Sequence, residues 1–524
     1  MTEALSKLIN EMNNEEVLRE HKILNAKIDF RFLQPDLLKH IHAELDKTHK
    51  LDHKEKLATF IVAVSSYQKD ARDHVSCAVK GDTSGGKDND LDTTLKHIPK
   101  EDFIKVTRAT SATLEDDVKD KKIIAFSEIN KNRENGANAD IVETFKQMAE
   151  GGTTTLKKDA NTGFKTAIRS EQEQKTLIYC TTETESDEEL ETRYVIIPIK
   201  GFREKNKIVI SDSLKKARDV SYYLEKSLHE DSWIAVSLSI LEKDMYVIIP
   251  FTDVIDKGIN GKEIFDTTKD RVKRDVKRLL SLTRTIAWLH QKQRVAKYEN
   301  EIQFLFAEPS DFINALIIFG DFINLTYSGI DHRLQRLLDY AKDNPGKHCA
   351  EISDMGFGDS YCDWILRSKA QQDLGIASVN TIKKWIAELK DKGKIDTFYN
   401  PSVTNKAFLF RPVNSPISNL ALPVSIREID SQLIAWLSTE SAKEAYGDHE
   451  IKPYLIDFVE YDKEVEQKPS TFTPKNDMSM VTCEELVVTE ETIEDEPKFI
   501  SQKRLDQLEE DKNEQISNFK DNQQ

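Results

Sequence analysis

The sequence predicts an α/β protein whose core is a parallel sheet with crossover helices. Three observations predict it. Between Phe60 and Lys200, short apolar runs alternate with helical stretches, the pattern of strands joined by helices. One run, His74-Val-Ser-Cys-Ala-Val79, leads into Val79-Lys-Gly-Asp-Thr-Ser-Gly-Gly-Lys-Asp88, which has the G-x4-G-K spacing of a loop that wraps phosphate in backbone N–H groups. A further run, Lys121-Lys-Ile-Ile-Ala-Phe-Ser-Glu128, ends on an acid.

Taken in order, residues 1 to about 50 are charged with Leu and Ile at helical spacing. They read as a small helical N-terminal segment, with Pro35 opening a helix. Residues 51–200 hold the nucleotide-binding core, in which Leu91 to Ile98 is the helix whose positive N-terminus faces phosphate. Residues 201–300 read as a helical lid beside the nucleotide, ending in an amphipathic run from Lys269 to Arg294. From 301 to 412, apolar helices over Phe304 to Ala341 lead to a helix, a glycine turn, a second helix over Ser378-Val-Asn-Thr-Ile-Lys-Lys-Trp-Ile386 and a hairpin, a winged-helix order. Residues 413–524 lose periodicity and carry an acidic run from Glu484 to Glu496. They read as a disordered acidic tail, a candidate protein-binding segment, with a short helix near Ile429 to Trp436.

A length of 524 residues exceeds one core and suits three or four domains. The net charge of −17 argues against wholesale coating of nucleic acid but leaves room for local basic surfaces. Cys77, Cys180, Cys349, Cys362 and Cys483 are far apart in sequence, which speaks against a disulfide scaffold and a zinc site and for a cytoplasmic home. No stretch approaches the ~20 apolar residues of a membrane span, and the start lacks a signal pattern, so no membrane partner is expected.

Within the loop the phosphate contacts fall to Gly81, Asp82, Thr83, Ser84, Gly85, Gly86, Lys87 and Asp88. The loop should end in Ser or Thr to hold Mg²⁺, and here it ends in Asp88. At the acidic strand an Asp-Glu pair is expected, and Ser127-Glu128 stands there. Glu128 is placed to activate water. Either hydroxyl and carboxylate have traded places, with Asp88 and Ser127 sharing one Mg²⁺, or both were lost independently. A later strand, Lys175-Thr-Leu-Ile-Tyr-Cys-Thr-Thr182, ends in hydroxyls that suit a γ-phosphate or water contact at Thr182. Arg193, just before the apolar run Tyr194-Val-Ile-Ile-Pro198, is placed either to reach a neighbouring subunit's nucleotide or to make a surface ion pair. His290 and the tryptophans read as core.

Phosphate loop, acidic strand, polar strand end, arginine and lid, in this order, resemble the core of an AAA+ ATPase. Two details narrow the resemblance to minichromosome-maintenance helicases and related viral or plasmid replicative ATPases. Glu143 to Thr166 resembles the family's helix and pore hairpin, and Arg274-Asp-Val-Lys-Arg resembles its lid helix. The resemblance covers roughly Phe60 to Arg294. It implies ATP and Mg²⁺ as cofactors, a homo-oligomeric ring such as a hexamer, and single-stranded DNA in the pore. It also makes Arg274 the second sensor and gives Lys157, Lys158 and Lys165 on the hairpin to DNA backbone. In the winged helix, Val379, Ile382 and Ile386 are expected inward and Asn380, Lys383 and Lys384 outward, toward duplex DNA or a protein. The family's N-terminal collar and its insert before the acidic strand are missing, which favours a compact mobile-element version or a remodeller. Two functions remain open: an ATP-driven DNA helicase or translocase acting in replication, and an ATP-gated DNA-binding regulator in which the winged helix does the work.

Overall fold

The structure is a computed structural model that describes residues 28–81, 85–106, 118, 120–127, 147–148, 153–158, 167–172, 174–182, 192–199, 203–218, 232–267, 271–328, 332–355, 359–376, 378–399, 408–413 and 424–458. The chain divides into two compact units, Met1–Lys463 and Glu464–Gln524, and the second lies outside the described residues.

Among the described residues the first unit begins with helices α1 (Leu37–Thr48) and α2 (His53–Ser65), and the part of the expected N-terminal helical segment before residue 28 lies outside them. The sheet region follows as β1 (Cys77–Gly81), α3 (Lys87–Lys96), β2 (Phe103–Val106), β3 (Ile123–Phe126), β4 (Thr153–Lys158), β5 (Ala167–Gln172), β6 (Thr176–Thr181) and β7 (Val195–Ile199). Five of these strands form one all-parallel sheet in the order β2-β3-β6-β1-β7. Parallel sheets need cover on both faces, and the alternation along the strands supplies it. Cys77, Val79, Ile178, Cys180 and Ile197 pack on one side with α1 and α2. Ala78, Ile124, Phe126, Leu177 and Ile196 pack on the other with Met148 and Tyr194.

Helix α2 is buried on every side from Lys56 to Ser65, because it lies between the sheet and the helices that follow. Burying Lys56 requires partners, and its Nζ donates to Asp46 Oδ1 at 2.5 Å and to the His49 and Leu51 carbonyls at 3.0 and 3.1 Å.

Next come α4 (Arg203–Arg218), α5 (Trp233–Ile240), β8 (Met245–Ile248), α6 (Thr252–Lys257), α7 (Val272–Leu289), β9 (Ala296–Glu299) and β10 (Ile302–Phe306). This region is not purely helical as expected. β8, β10 and β9 form a second sheet, since Met245-Tyr-Val-Ile248 alternates buried and exposed. Asn300 and Glu301, both at positive φ, turn β9 back onto β10. Strand β10 also takes Phe304 to Phe306, which the sequence reading placed in a helix. The amphipathic run is α7, where Trp288 and His290 are core as expected.

Beyond lie α8 (Pro309–Ser328), α9 (His332–Asp343), α10 (Cys349–Asp354), β11 (Ile365–Leu366), α11 (Arg367–Asp373), α12 (Val379–Asp391), β12 (Ile395–Tyr399) and β13 (Phe408–Pro412). α9, α11, α12 and the β11-β13-β12 sheet enclose their own small core around Leu337, Ile382, Ile386 and Phe410. Cys349 and Cys362 are disulfide-bonded with Cα atoms 4.4 Å apart, a single bridge that the reading against a disulfide scaffold did not include. Spacing in sequence did not show that the chain folds back at Gly346 to Leu366.

The tail is a correction too. From 424 to 458 the chain folds onto the main core, with α13 (Ile426–Trp436) where the short helix is expected and α14 (Glu440–Tyr446) after it. Ile429, Leu433 and Trp436 recur at i, i+4 and i+7 and join the main core. Ser425 and Glu428 close a capping box. The Tyr446 hydroxyl donates to the Ala307 carbonyl at 2.6 Å, and Asn314 holds the Tyr454 carbonyl and the Ile456 N–H at 2.8 and 2.9 Å. Beyond 458 the expected disorder lies outside the described residues. Among the described residues, no helix is long and apolar enough to cross a membrane.

The core makes the fold acid-sensitive. Burial pushes His42 down to about 3, and His97 and His290 down to about 4, from an ordinary 6.5. Below pH 6.5 the unfolded chain therefore binds protons that the folded chain refuses, so stability is lost as pH falls toward 4. The loss is up to roughly 1.4 kcal/mol per pH unit for each histidine. The expected result is a Tm that declines through this window, and declines less steeply in His97→Asn protein. Parallel Tm curves for the two proteins would mean that His97 titrates alike in both states.

Candidate nucleotide-binding site

The loop is shaped by two glycines. At Gly81 a Cβ would stand 2.7 Å from the Ile199 carbonyl oxygen on β7, so only glycine lets β1 leave the sheet there. Gly86 holds φ +101°, a left-handed conformation that turns the chain into α3. Lys87 is the first residue of that helix. It is only 6% exposed, and its Cγ folds back to 3.3 Å from the Gly81 Cβ position. No side chain caps the helix at Gly86, so its first N–H groups face the loop. Asp82, Thr83 and Ser84 lie outside the described residues.

A clasp that sequence reasoning missed surrounds the loop. The Lys205 Nζ on α4 donates to the Gly85 carbonyl at 3.0 Å and pairs with Asp52. Asp52 also takes a 2.7 Å hydrogen bond from His49 Nε2, and the Asn89 amide on α3 donates to His49 Nδ1 at 2.7 Å. These bonds fit the His49 tautomer with its proton on Nε2. Burial pushes the Asp52 carboxyl up, but the His49 hydrogen bond and the Lys205 ammonium outweigh it and hold it below the ordinary range. Asp52 itself sits at φ +47°, a conformation that aspartate tolerates better than most residues. Loop, α1–α2 turn and α4 are thereby tied together.

The described groups that could hold a phosphate here are the buried Lys87 and the uncapped helix start that follows the left-handed Gly86. The other strand ends share the edge. Because the sheet is all parallel, Gly81, Thr181 and Phe126 finish on the same side. β6 lies between β1 and β3, so the β1 and β3 ends are about 10 Å apart across the sheet. Thr181 is buried and Thr182 half-buried, its carbonyl accepting from Arg333 Nη2 at 3.4 Å. Ser127 is half-buried at the β3 end, and Asp88 is exposed on the first turn of α3. Both could hold a cation at this edge. Asp90, about half a turn along, faces away: it accepts 2.7 Å from Thr59 on α2, and burial raises its carboxyl. Glu128 lies outside the described residues, one position past Ser127.

The two arginines are elsewhere. Val195 pairs with Cys77, so Arg193 lies at the opposite edge, about 20 Å from Gly81 of its own chain at ~3.3 Å per residue. Arg274 is beside it, donating from Nη1 to Thr192 Oγ1 at 2.7 Å. Arg278 bonds the Thr192 carbonyl, and Asp275 pairs with both Arg271 and Arg278. Arg274 therefore does not approach the phosphate loop of its own chain. The described arginine that does reach the phosphate edge is Arg333, which follows the long helix α8 and carries no motif.

Lys157 and Lys158 fall on β4, which pairs antiparallel with β5 up to Lys158↔Ala167, while the turn with Lys165 lies outside the described residues. On α12, Lys383 and Lys384 are exposed and Ile382 and Ile386 buried as expected. Val379 corrects the reading: it is 45% exposed, because Ser378 caps the helix and leaves its first turn outside the small core. Among the described residues, one group of His, Cys, Asp or Glu has metal-binding spacing, His42, Asp46 and His53. The Lys56 ammonium already bonds Asp46 there, so we read it as a polar part of the core.

Comparison with protein-family models gives no match, and comparison with curated proteins gives none either.

Proposed function

We propose that the chain is an ATP-hydrolysing AAA+ motor of the minichromosome-maintenance-like type, working as a ring on DNA in replication. The observation that carries this is the division of the sheet. Loop, Ser127 and Thr182 share one edge, and Arg193 with Arg274 shares the other. Such a subunit is complete only when the arginine edge of one copy meets the phosphate edge of the next, as in a head-to-tail ring.

In this reading Lys87 and the start of α3 bind the β- and γ-phosphates, and the Lys205–Asp52–His49 clasp keeps the loop open. Mg²⁺, held by Asp88 and Ser127, would neutralise phosphate charge. Glu128 takes a proton from water that Thr182 helps to orient. A neighbour's Arg193, with Arg274 beside it, stabilises charge as the phosphoryl group leaves. The β4–β5 lysines contact single-stranded DNA in the pore. The helix–helix–hairpin of α11, α12, β12 and β13 is a winged helix presenting Lys383 and Lys384 to duplex DNA.

The test is steady-state ATP turnover with and without single-stranded DNA, across a Mg²⁺ titration. Mg²⁺-dependent turnover that rises several-fold with DNA is expected. Protein that binds ATP and DNA but never exceeds the Lys87→Ala background would instead be the ATP-gated regulator.

A further inference from the structure

A cleft of about 690 Å³ opens between the outer face of the β8–β10–β9 sheet and helix α7, away from the phosphate loop. We propose that it binds single-stranded nucleic acid, independently of ATP and separately from the hairpin and α12. Its two walls differ. One is aromatic: Tyr246 and Phe304 stand opposite each other on adjacent parallel strands, with ring centroids 6.1 Å apart and planes 27° apart. Tyr246 is 37% exposed, a large apolar ring left on the surface. The other wall is cationic. Lys273, Lys277 and Arg284 recur at i, i+4 and i+11 of α7, which puts them on one face over about 16 Å.

That row presents three cations in line to the phosphates of one strand. Lys69 completes the floor, its Nζ 4.6 Å from the Tyr246 ring centroid and tied to exposed Asp244 at 2.6 Å. Five cations line the cleft against two carboxylates, in a chain whose net charge is −17. The two carboxylates pair with two of these cations, Asp70 with Arg72 at 2.6 Å and Asp73 with Arg284 at 2.7 Å, which leaves the lining a net excess of three positive charges. An aromatic platform facing a cationic ridge matches a strand with bases on one side and phosphates on the other. An acidic peptide satisfies the ridge but leaves the platform without a role.

The experiment uses the full chain without nucleotide and a fluorescent thymidine 20-mer. Anisotropy is read for wild type, for Lys273→Glu/Lys277→Glu and for Tyr246→Ala, with photocrosslinking to locate the contact. The expected results are a loss of at least tenfold in affinity on charge reversal and a salt slope flatter by about 1.4 log units, at ~0.7 per lost contact. Tyr246→Ala should weaken binding with the slope kept, and crosslinks should fall on Tyr246 or Phe304. Lys87→Ala protein should bind like wild type, so failure of the ATPase reading leaves this proposal standing. Unchanged affinity in both variants, with crosslinks only in the hairpin or α12, overturns it. So does displacement of wild-type protein from the 20-mer by polyglutamate when Tyr246→Ala has no effect, since the cleft then takes an acidic protein.

Discussion

Lys87→Ala protein is expected to lose ATP binding and turnover together, whereas Glu128→Gln protein keeps binding and loses turnover alone. Lys87 is almost wholly buried, at the first position of α3, with its stem folded over Gly81. Removing one partner of a buried charge pair costs about 2 to 5 kcal/mol, or roughly 30-fold to several thousandfold in affinity. Glu128 lies outside the described residues, two positions past the β3 end at Phe126, and β3 itself is two strands from β1. Its removal should spare affinity and slow the chemical step by about 10² to 10⁴, the usual contribution of a positioned base. Titration with a fluorescent ATP analogue and a turnover assay separate the two. Equal loss of affinity in both variants would end the catalytic role of Glu128.

What was legible in the sequence is what local chemistry dictates. Gly81, Gly86 and Lys87 are readable because close approach to Ile199, a left-handed turn and a helix start each restrict the residue type. The strands Ile123–Phe126, Thr176–Thr181 and Val195–Ile199 are readable because a sheet buried on both faces makes apolar runs. The clasp was not readable. His49, Asp52 and Lys205 meet through separations of up to 153 residues, and no spacing rule reports such a meeting. Arg333 was missed for the same reason. β8 and β10 were hidden by their shortness beside the strong period of α7, and the ordered segment from 424 to 458 by its surroundings of Pro and Ser.

Arg193 is expected to act only on the nucleotide of the next subunit. Arg193→Ala should lower turnover by about 10³ to 10⁵, the range for an arginine that stabilises phosphoryl transfer, while ATP binding by the same protein stays near wild type. The geometry leaves no route within one chain: β1 and β7 are in register from Cys77↔Val195 to Gly81↔Ile199, so Arg193 and the loop are separated by the full strand length. Mixing inactive Arg193→Ala and Lys87→Ala proteins should therefore restore activity. In a head-to-tail ring of randomly mixed subunits, about a quarter of interfaces combine an intact loop with an intact arginine. Turnover should approach about that fraction of wild type if interfaces fire independently. Arg274 is bonded to Thr192, the residue before Arg193, so Arg274→Ala should fall in the same complementation group. It should be rescued by Lys87→Ala protein and never by Arg193→Ala protein. Confirmed co-assembly without any turnover above that of the inactive parents would return both arginines to a structural role at the β7 start.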